Sequence, residues 1–229
     1  MQITELHKCR KCQNGGIKHG KSSNGIQRLF CKKCKITWQS TYIYNACKAT
    51  INQNIIALLR EGCGTRSISR LLRISTTSVS KKIIKIAKEI QLPTLYLKKS
   101  YEIDELCTYI SKKKNKVWIV CALEKCSKQI VRFCIGKRTN KTLRKVIRDV
   151  LISEPIKLYT DKLKNYQHLI PREIHNIFPK GIQNIERMNL NLRTHLKRLG
   201  RKTIAYSKSL SQLSAIIKIY LYSKTTSLC

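Results

Sequence analysis

Apolar side chains recur at helical spacing from Asn52 onward, in three short segments interrupted by residues 61–64 and 74–77. Thr65 is the expected cap of the second helix, and the third helix is expected to end near Glu89. Two short helices joined by a tight turn are typical of a helix-turn-helix, whose last helix enters the major groove of DNA. Three helices would equally suit a small packed domain without that role.

After Pro93 the pattern changes from helices to strands. Residues 101–110, 117–123 and 129–135 read as three strands, separated by lysine-rich turns at 112–115 and 125–128. A helix is predicted over residues 139–151, a fourth strand over 156–160, and further helices over 163–169 and 182–199. This order predicts a mixed α/β sheet layered with helices.

Two pairs of cysteines precede the helical segments. Cys9 and Cys12 form one C-x2-C pair, and Cys31 and Cys34 form the other after 18 intervening residues. This spacing can place four thiolates around one structural Zn²⁺, in a ribbon held by metal rather than by a core. The alternatives are that His7 or His19 replaces one cysteine, or that the cysteines bind no metal.

Charge favours a polyanionic partner. The 229 residues include 47 Lys and Arg against 12 Asp and Glu, which gives a formal net charge of +35. Such a chain suits nucleic acid, because lysine and arginine displace counterions from phosphates. A solvated basic surface without a partner is the alternative. The first residues resemble no secretory leader and no apolar run is long enough to span a membrane, so we expect a reducing compartment and no membrane partner.

Basic and hydroxyl side chains flank the third predicted helix and follow the last one. Such residues contact phosphates and so position a protein on DNA. The residues expected to contact DNA are Ser78, Ser80, Lys81, Lys82, Lys85, Lys197, Arg198, Arg201, Lys202 and Lys208.

Acidic residues are rare in this chain, so their positions are informative. Asp104 lies within a predicted strand, Asp161 follows the apolar fourth strand, and Glu186 lies on the last long helix. Three carboxylates from these elements could hold a pair of Mg²⁺ or Mn²⁺ ions for phosphoryl transfer. Alternatively, each acid pairs with a neighbouring lysine.

The strand pattern alone does not choose between Asp104 and Glu102, because side chains two residues apart share one face of a strand. Glu105 is expected to point to the opposite face. On the last helix, Asn189 and Arg193 share the face of Glu186 and are candidates to orient a phosphate.

Residues 185–203 and 206–209 resemble the C-terminal signature of the transposases of the first-described bacterial insertion-sequence family. Residues 159–161 and 102–105 resemble the two aspartate segments of that family, and the paired cysteines resemble its zinc finger. Lys162 departs from the pattern, since family members carry glycine after the second aspartate.

The resemblance implies a ribonuclease-H-like catalytic fold with an Asp-Asp-Glu triad that acts on terminal inverted repeats. Carried over by position, the triad is Asp104, Asp161 and Glu186, with 24 residues between the last two. The expected organisation is a zinc ribbon over residues 1–45, a helix-turn-helix over 46–92, a linker over 93–100 and a catalytic domain over 101–229.

The sequence is therefore interpreted as a DNA transposase with one structural Zn²⁺ and two catalytic Mg²⁺ or Mn²⁺ ions. Its expected partners are double-stranded DNA, both element ends and target, and further copies of itself on that DNA. We expect it in the cytoplasm of a prokaryote, associated with the nucleoid. The alternatives are a non-catalytic DNA-binding regulator and a nuclease of the same fold that never joins ends.

Overall fold

The computed structural model describes residues 7–223, which fall into two compact units that divide after Ile51. The outermost residues of the predicted first and last domains, 1–6 and 224–229, lie outside the described residues. Residues 7–223 contain no helix with the length and hydrophobicity of a membrane span. The finer division at residues 45, 92 and 100 remains a prediction.

The first unit is a small antiparallel ribbon. Its strands are β1 (Ile17–Lys21), β2 (Gln27–Cys31) and β3 (Ile36–Gln39), with β2 in the centre. A short 3₁₀ helix, Asn45–Cys47, follows. Two of the paired cysteines, Cys9 and Cys31, form the core together with Leu29 and Trp38. So few apolar side chains bury too little surface to hold a domain together on their own.

The second unit begins within the first turn of α1 (Ile51–Arg60), which is followed by α2 (Thr65–Leu72) and α3 (Thr76–Glu89). Thr65 is the first residue of α2, and the capping position belongs to Gly64, so the predicted threonine cap is wrong. Between α2 and α3 the chain turns through Arg73 in the left-handed region, with φ 52°. Ser75 caps α3 by accepting a hydrogen bond from the Ser78 amide.

A five-stranded mixed sheet forms the centre of this unit. Its strands are β4 (Ser100–Ile110), β5 (Lys112–Glu124), β6 (Ile130–Gly136), β7 (Lys157–Thr160) and β8 (His175–Ile177). Their order across the sheet is β6-β5-β4-β7-β8; β4, β5 and β6 are antiparallel, and β7 and β8 run parallel to β4. This order and these directions are those of the ribonuclease-H-like fold, which confirms the expected fold class.

The remaining helices cover the sheet. They are α4 (Asn140–Leu151), α5 (Lys164–Gln167), α6 (Gln183–His195) and α7 (Leu210–Tyr222), with 3₁₀ helices at Pro179–Ile182 and Lys197–Leu199. The core contains β4 and β5 residues such as Ile103 and Val120 together with Leu143 and Val146 of α4. Helix α6 packs against β4 and β5, while α7 packs against both α3 and β6.

Several predicted boundaries are wrong. Residues 112–115 belong to β5, because the chain reverses at Ser111, with φ 62°. The helix predicted over 182–199 stops at His195, since Leu196 has a non-helical backbone (φ −98°, ψ 88°). The helix predicted over 163–169 contains only Lys164–Gln167. The sequence pattern predicts neither strand β8 nor helix α7.

Gly62 brings the turn between α1 and α2 close to the end of α6. It has φ +74°, and a Cβ atom there would lie 2.3 Å from the carbonyl oxygen of His195, at the end of α6. Only glycine allows both this conformation and this approach. The α1–α2 turn is therefore packed directly on α6.

Candidate metal sites

The paired cysteines come together as predicted. The sulfur atoms all lie within 4.8 Å of one another in the cluster formed by Cys9, Cys12, Cys31 and Cys34. Burial by itself would raise the pKa of Cys9, but hydrogen bonds from the backbone of Cys12 and Lys11 lower that pKa to about 6. His19 instead lies against Phe30, with ring centroids 5.2 Å apart. The cluster has the ligand types and proximity of a four-cysteine zinc site.

A second cluster lies where the pairing of β4 with β7 ends. Ile103 and Thr160 are the last paired residues of these two parallel strands, so Asp104 and Asp161 follow at matching positions. Carboxylate oxygens of Asp104, Glu105 and Asp161 all lie within 4.8 Å of one another. We call these three residues the acidic cluster.

Asp104 is held from the side of α6. Its Oδ2 accepts a hydrogen bond of 2.9 Å from Nδ2 of Asn189. Burial raises the pKa of Asp104, and the neighbouring charges of Asp161 and Glu186 raise it further. Glu186 itself is exposed on α6 and is not part of the acidic cluster. It is nevertheless near enough for its charge to act on Asp104.

Glu102 has a different role from Asp104, although both lie on one face of β4. Its fully buried carboxylate accepts hydrogen bonds from the Ile185 amide at 2.9 Å and from Nδ2 of Asn184 at 2.7 Å. Both donors lie in the first turn of α6, where free amides and the helix dipole favour a negative charge. Glu102 therefore anchors α6, while Asp104 belongs to the acidic cluster.

Glu105 is the acid that sequence reasoning missed. Its side chain is 1% exposed, and its Oε2 accepts a hydrogen bond of 3.1 Å from Arg138. Its Oε1 is buried and makes no hydrogen bond of standard geometry among the described residues, although the buried Tyr166 hydroxyl lies near this carboxylate. Burial raises the pKa of Glu105, and the charge of Arg138 and the nearby Tyr166 hydroxyl partly offset this rise. The side chain leaves the opposite face of β4, yet it reaches the cluster because no β7 residue is paired beyond Ile103.

The predicted supporting residues differ in their surroundings. Asn189 is buried and contacts Asp104, and its Oδ1 has no partner among the described residues. Arg193 donates to the backbone carbonyls of Leu199 and Cys107, each at 3.3 Å, so its guanidinium also holds the chain that follows α6. Lys162 is exposed and has no left-handed φ, so the backbone does not require glycine at this position.

The residues predicted to contact DNA lie mainly on the surface of the second unit. The exposed ones are Lys81, Lys85, Lys197, Arg201, Lys202 and Lys208. Ser78 and Ser80 are half-buried on α3, and Lys82 donates to the side chain of Asn52 at 3.3 Å. Arg198 donates to the Ser207 hydroxyl at 3.0 Å.

Comparison with known proteins identifies relatives for the second unit. A family model described as IS1 transposase matches residues 99–226. Insertion element IS1 2 protein InsB of Escherichia coli (strain K12) is 35% identical over 120 residues, which is 52% of this chain and 72% of that protein. Insertion element IS1 protein InsB of Shigella flexneri is 34% identical over 120 residues, 52% of this chain and 92% of that protein.

One solved structure with a similar outline is the HTLV-2 integrase catalytic core domain in complex with magnesium (trimeric form). It is 15% identical, with a TM-score of 0.35, and the match covers 56% of this chain and 86% of that chain. The ribonuclease-H-like assignment rests on strand order and direction, not on this likeness.

The anchoring of α6 by Glu102 leads to a stability prediction. We expect Glu102→Gln to lower the free energy of unfolding by about 1–3 kcal/mol, because a buried helix terminus loses a charged acceptor. Urea denaturation followed by circular dichroism measures this change. Asp149→Asn is the control, since that acid is half-exposed in a 3.7 Å ion pair with Arg132 and should cost less than about 1 kcal/mol. Equal costs for the two variants would contradict the anchoring role.

Proposed function

The chain belongs to the IS1 transposase family, and on this premise we propose that it cuts insertion-element ends and joins them to target DNA with divalent metal. Asp104, Asp161 and Glu186 are the proposed catalytic carboxylates. The observation that carries the proposal is the meeting of Asp104 and Asp161 where the pairing of β4 with β7 ends, beside the helix that bears Glu186.

The residues in and beside the acidic cluster fit Mg²⁺ or Mn²⁺. These ions prefer oxygen ligands, and the acidic cluster supplies carboxylates from within β4 and from the end of β7. Two buried oxygens, Oδ1 of Asn189 beside the cluster and Oε1 of Glu105 within it, make no hydrogen bond of standard geometry among the described residues. Unpartnered buried oxygens are costly, and a bound ion or its water ligands would satisfy them.

Bound metal would supply activation of the attacking oxygen and charge stabilisation at the leaving oxygen. The chain's own residues prepare the site for it. The Asn189 amide fixes one oxygen of Asp104 at 2.9 Å, and the Leu163 amide fixes Oδ1 of Asp161 at 2.9 Å. Each aspartate keeps one oxygen free of these contacts. Glu102 binds the first turn of α6 and so fixes the backbone position of Glu186 relative to the acidic cluster.

Glu105 is proposed as a further carboxylate of the metal site. It is more deeply buried than Asp104, and Arg138 balances only part of its charge. A carboxylate buried next to two others is unfavourable unless a cation is shared. Arg138 would then compete with the metal for Glu105.

The four cysteines are the proposed ligands of one structural Zn²⁺. The ribbon has a core of only a few side chains, so metal binding would supply much of its folding free energy. We propose that the helix-turn-helix and the basic residues expected to contact DNA bind the double helix. Joining two element ends to one target requires more than one subunit, and we therefore propose a homo-oligomer on DNA.

A strand-transfer assay tests the proposed catalysis. The full chain is incubated with labelled element ends, target DNA and Mg²⁺ or Mn²⁺, and covalently joined product is quantified. We expect Glu186→Gln to reduce joining by more than about 100-fold, because a metal-binding charge is lost. Glu173→Gln, which neutralises an exposed acid in the loop before β8, should join like the unaltered chain.

The same assay separates the alternatives. Full joining by the Glu186→Gln protein would contradict the catalytic assignment. DNA binding without cutting by the unaltered chain would favour a regulator. Cut ends that never become linked to target would favour a nuclease.

Metal binding tests the proposed role of Glu105 without using activity. Mn²⁺ affinity is measured by electron paramagnetic resonance of the free ion, in the absence of DNA. We expect Glu105→Gln to weaken binding by about tenfold and Arg138→Gln to strengthen it, because Arg138 repels the cation and competes for the carboxylate. Arg132→Gln, on the same side of the sheet but paired with Asp149, serves as the control.

Opposite shifts in affinity distinguish this role from a structural one. If the Glu105–Arg138 pair only stabilises the fold, both variants lower the melting temperature and leave Mn²⁺ affinity unchanged. That result would exclude Glu105 from the metal site.

Substitution of one cysteine tests the zinc site. We expect Cys12→Ser to lose its bound Zn²⁺ and to unfold the ribbon, because three thiolates bind far more weakly than four. Cys47→Ser is the matched control, since Cys47 is exposed in the same unit and lies outside the cluster. Zinc is measured with a chromophoric chelator after denaturation. Equal zinc content in the two variants would contradict the four-cysteine site.

A further inference from the structure

A cleft with a volume of about 730 Å³ lies within the second unit, away from the acidic cluster. One wall consists of the first residues of α2 and α3, including Thr65, Arg66 and Thr76. The other wall is the segment that follows the catalytic helix, from Lys197 to Lys208. The cleft therefore lies between the predicted helix-turn-helix and the segment that follows α6.

The cleft is strongly basic. Four cationic side chains line it, Arg66, Lys197, Arg198 and Lys208, and none of the described residues that line it is an aspartate or glutamate. None of the four takes part in an ion pair within residues 7–223. Four like charges around one cleft repel each other, so the arrangement favours an anionic occupant.

Hydrogen-bond donors accompany these charges. Gly64 has no side chain to cap α2, and the first helical bond of α2 runs from the Ile68 amide to the Gly64 carbonyl. The three amides before Ile68 therefore lack helical acceptors, as at any helix start. Hydroxyl groups of Thr65, Ser67, Thr76, Thr77 and Ser80 line the same wall. Amides, hydroxyls and cations together are the donors that contact DNA phosphates.

Several lining residues of the cleft are held in place by contacts within the second unit. Gly62 packs on the carbonyl of His195, which sets the α1–α2 turn against the end of α6. The guanidinium of Arg198 is held by the Ser207 hydroxyl at 3.0 Å, and the Arg198 carbonyl accepts a hydrogen bond from Thr108 at 3.2 Å. Burial lowers the pKa of Arg198, as expected for a cation without an anionic partner. Arg198 is thus positioned before any ligand arrives.

We propose that this cleft binds the sugar–phosphate backbone of the element-end DNA, between the start of α3 and the segment that follows α6. This inference rests on the proposed function and deepens it. The bound strand would lie against the predicted recognition helix and against the chain leading from the catalytic helix at once. Its volume suits a short stretch of backbone, and no base edge needs to be read within it.

Binding measurements with paired variants test the cleft. Arg66→Gln and Lys208→Gln are combined, since both side chains are exposed and line it. The matched control combines Lys141→Gln and Arg144→Gln, two exposed cations on α4 that do not line the cleft. Affinity for a fluorescent element-end duplex is measured by anisotropy over a series of salt concentrations, after thermal melting has shown that both proteins are folded.

We expect the cleft variant to bind at least about tenfold more weakly than the control at moderate salt. The slope of log affinity against log salt should fall by about 0.9 for each phosphate that the variant no longer neutralises, hence by nearly two. Ethylation of individual phosphates should interfere with binding of the unaltered chain at one or two positions and lose that effect in the cleft variant. Identical affinities, slopes and interference patterns for the two variants would overturn the cleft proposal.

Joining by the unaltered chain keeps the two proposals separable. If the unaltered chain joins ends to target and the cleft variant binds like its control, the cleft proposal fails and the proposed function stands. If the unaltered chain never joins ends, the proposed function fails, and a selective loss of binding in the cleft variant would still identify a DNA-backbone site.

Discussion

The geometry of the catalytic unit depends on one buried interaction, between the Glu102 carboxylate and the first turn of α6. A fully buried carboxylate is unfavourable without strong donors, and the Ile185 amide and the Asn184 side chain provide them. The same contact fixes α6 over β4 at the residue just before Glu186. Asn189, one turn later, then meets Asp104. A helix held in this way brings the carboxylate of Glu186 and the amide of Asn189 toward the acidic cluster, and no metal is needed to place them.

Around this fixed frame, acids and bases are distributed unevenly. Burial raises the pKa of both Asp104 and Glu105, so their ionised forms are less favourable in the folded chain than in the unfolded one. Their contribution to stability therefore declines as pH rises through the ordinary carboxyl range and on to the raised pKa. A cation at the cluster would reverse that cost. The basic cleft presents the opposite case, with positive charges concentrated where no acid among residues 7–223 lines the walls. Metal at the acidic cluster would offset the repulsion among the carboxylates, and phosphate in the cleft would offset the repulsion among the cations.

The sequence allowed the prediction of features that depend on spacing, and it failed where tertiary contacts decide. The cysteine pairs, the short helices, Asp104 within a strand and Asp161 after one follow from local periodicity and chain order. Helix α7 was missed because its buried residues, such as Ile216 and Ile217, lie on several sides, between α3 and β6, and give no single apolar stripe. The place of Glu105 in the acidic cluster was missed because alternation predicts the direction of Cβ, not the reach of a long side chain past the last paired residue. The anchoring role of Glu102 likewise could not be predicted without the position of α6, because both of its hydrogen-bond donors lie on that helix.

Packing within the second unit links the predicted DNA-reading helix to the catalytic sheet. Helix α3 packs on α7, and α7 packs on β6, the edge strand of that sheet. On the other side, the turn before α2 rests on the last carbonyl of α6 through Gly62. A flexible linker would allow the distance between α3 and the acidic cluster to vary, whereas these contacts fix it. DNA held at the start of α3 would consequently approach the carboxylates along a path determined by the fold, and specificity for the element end would carry over to the position of the cut.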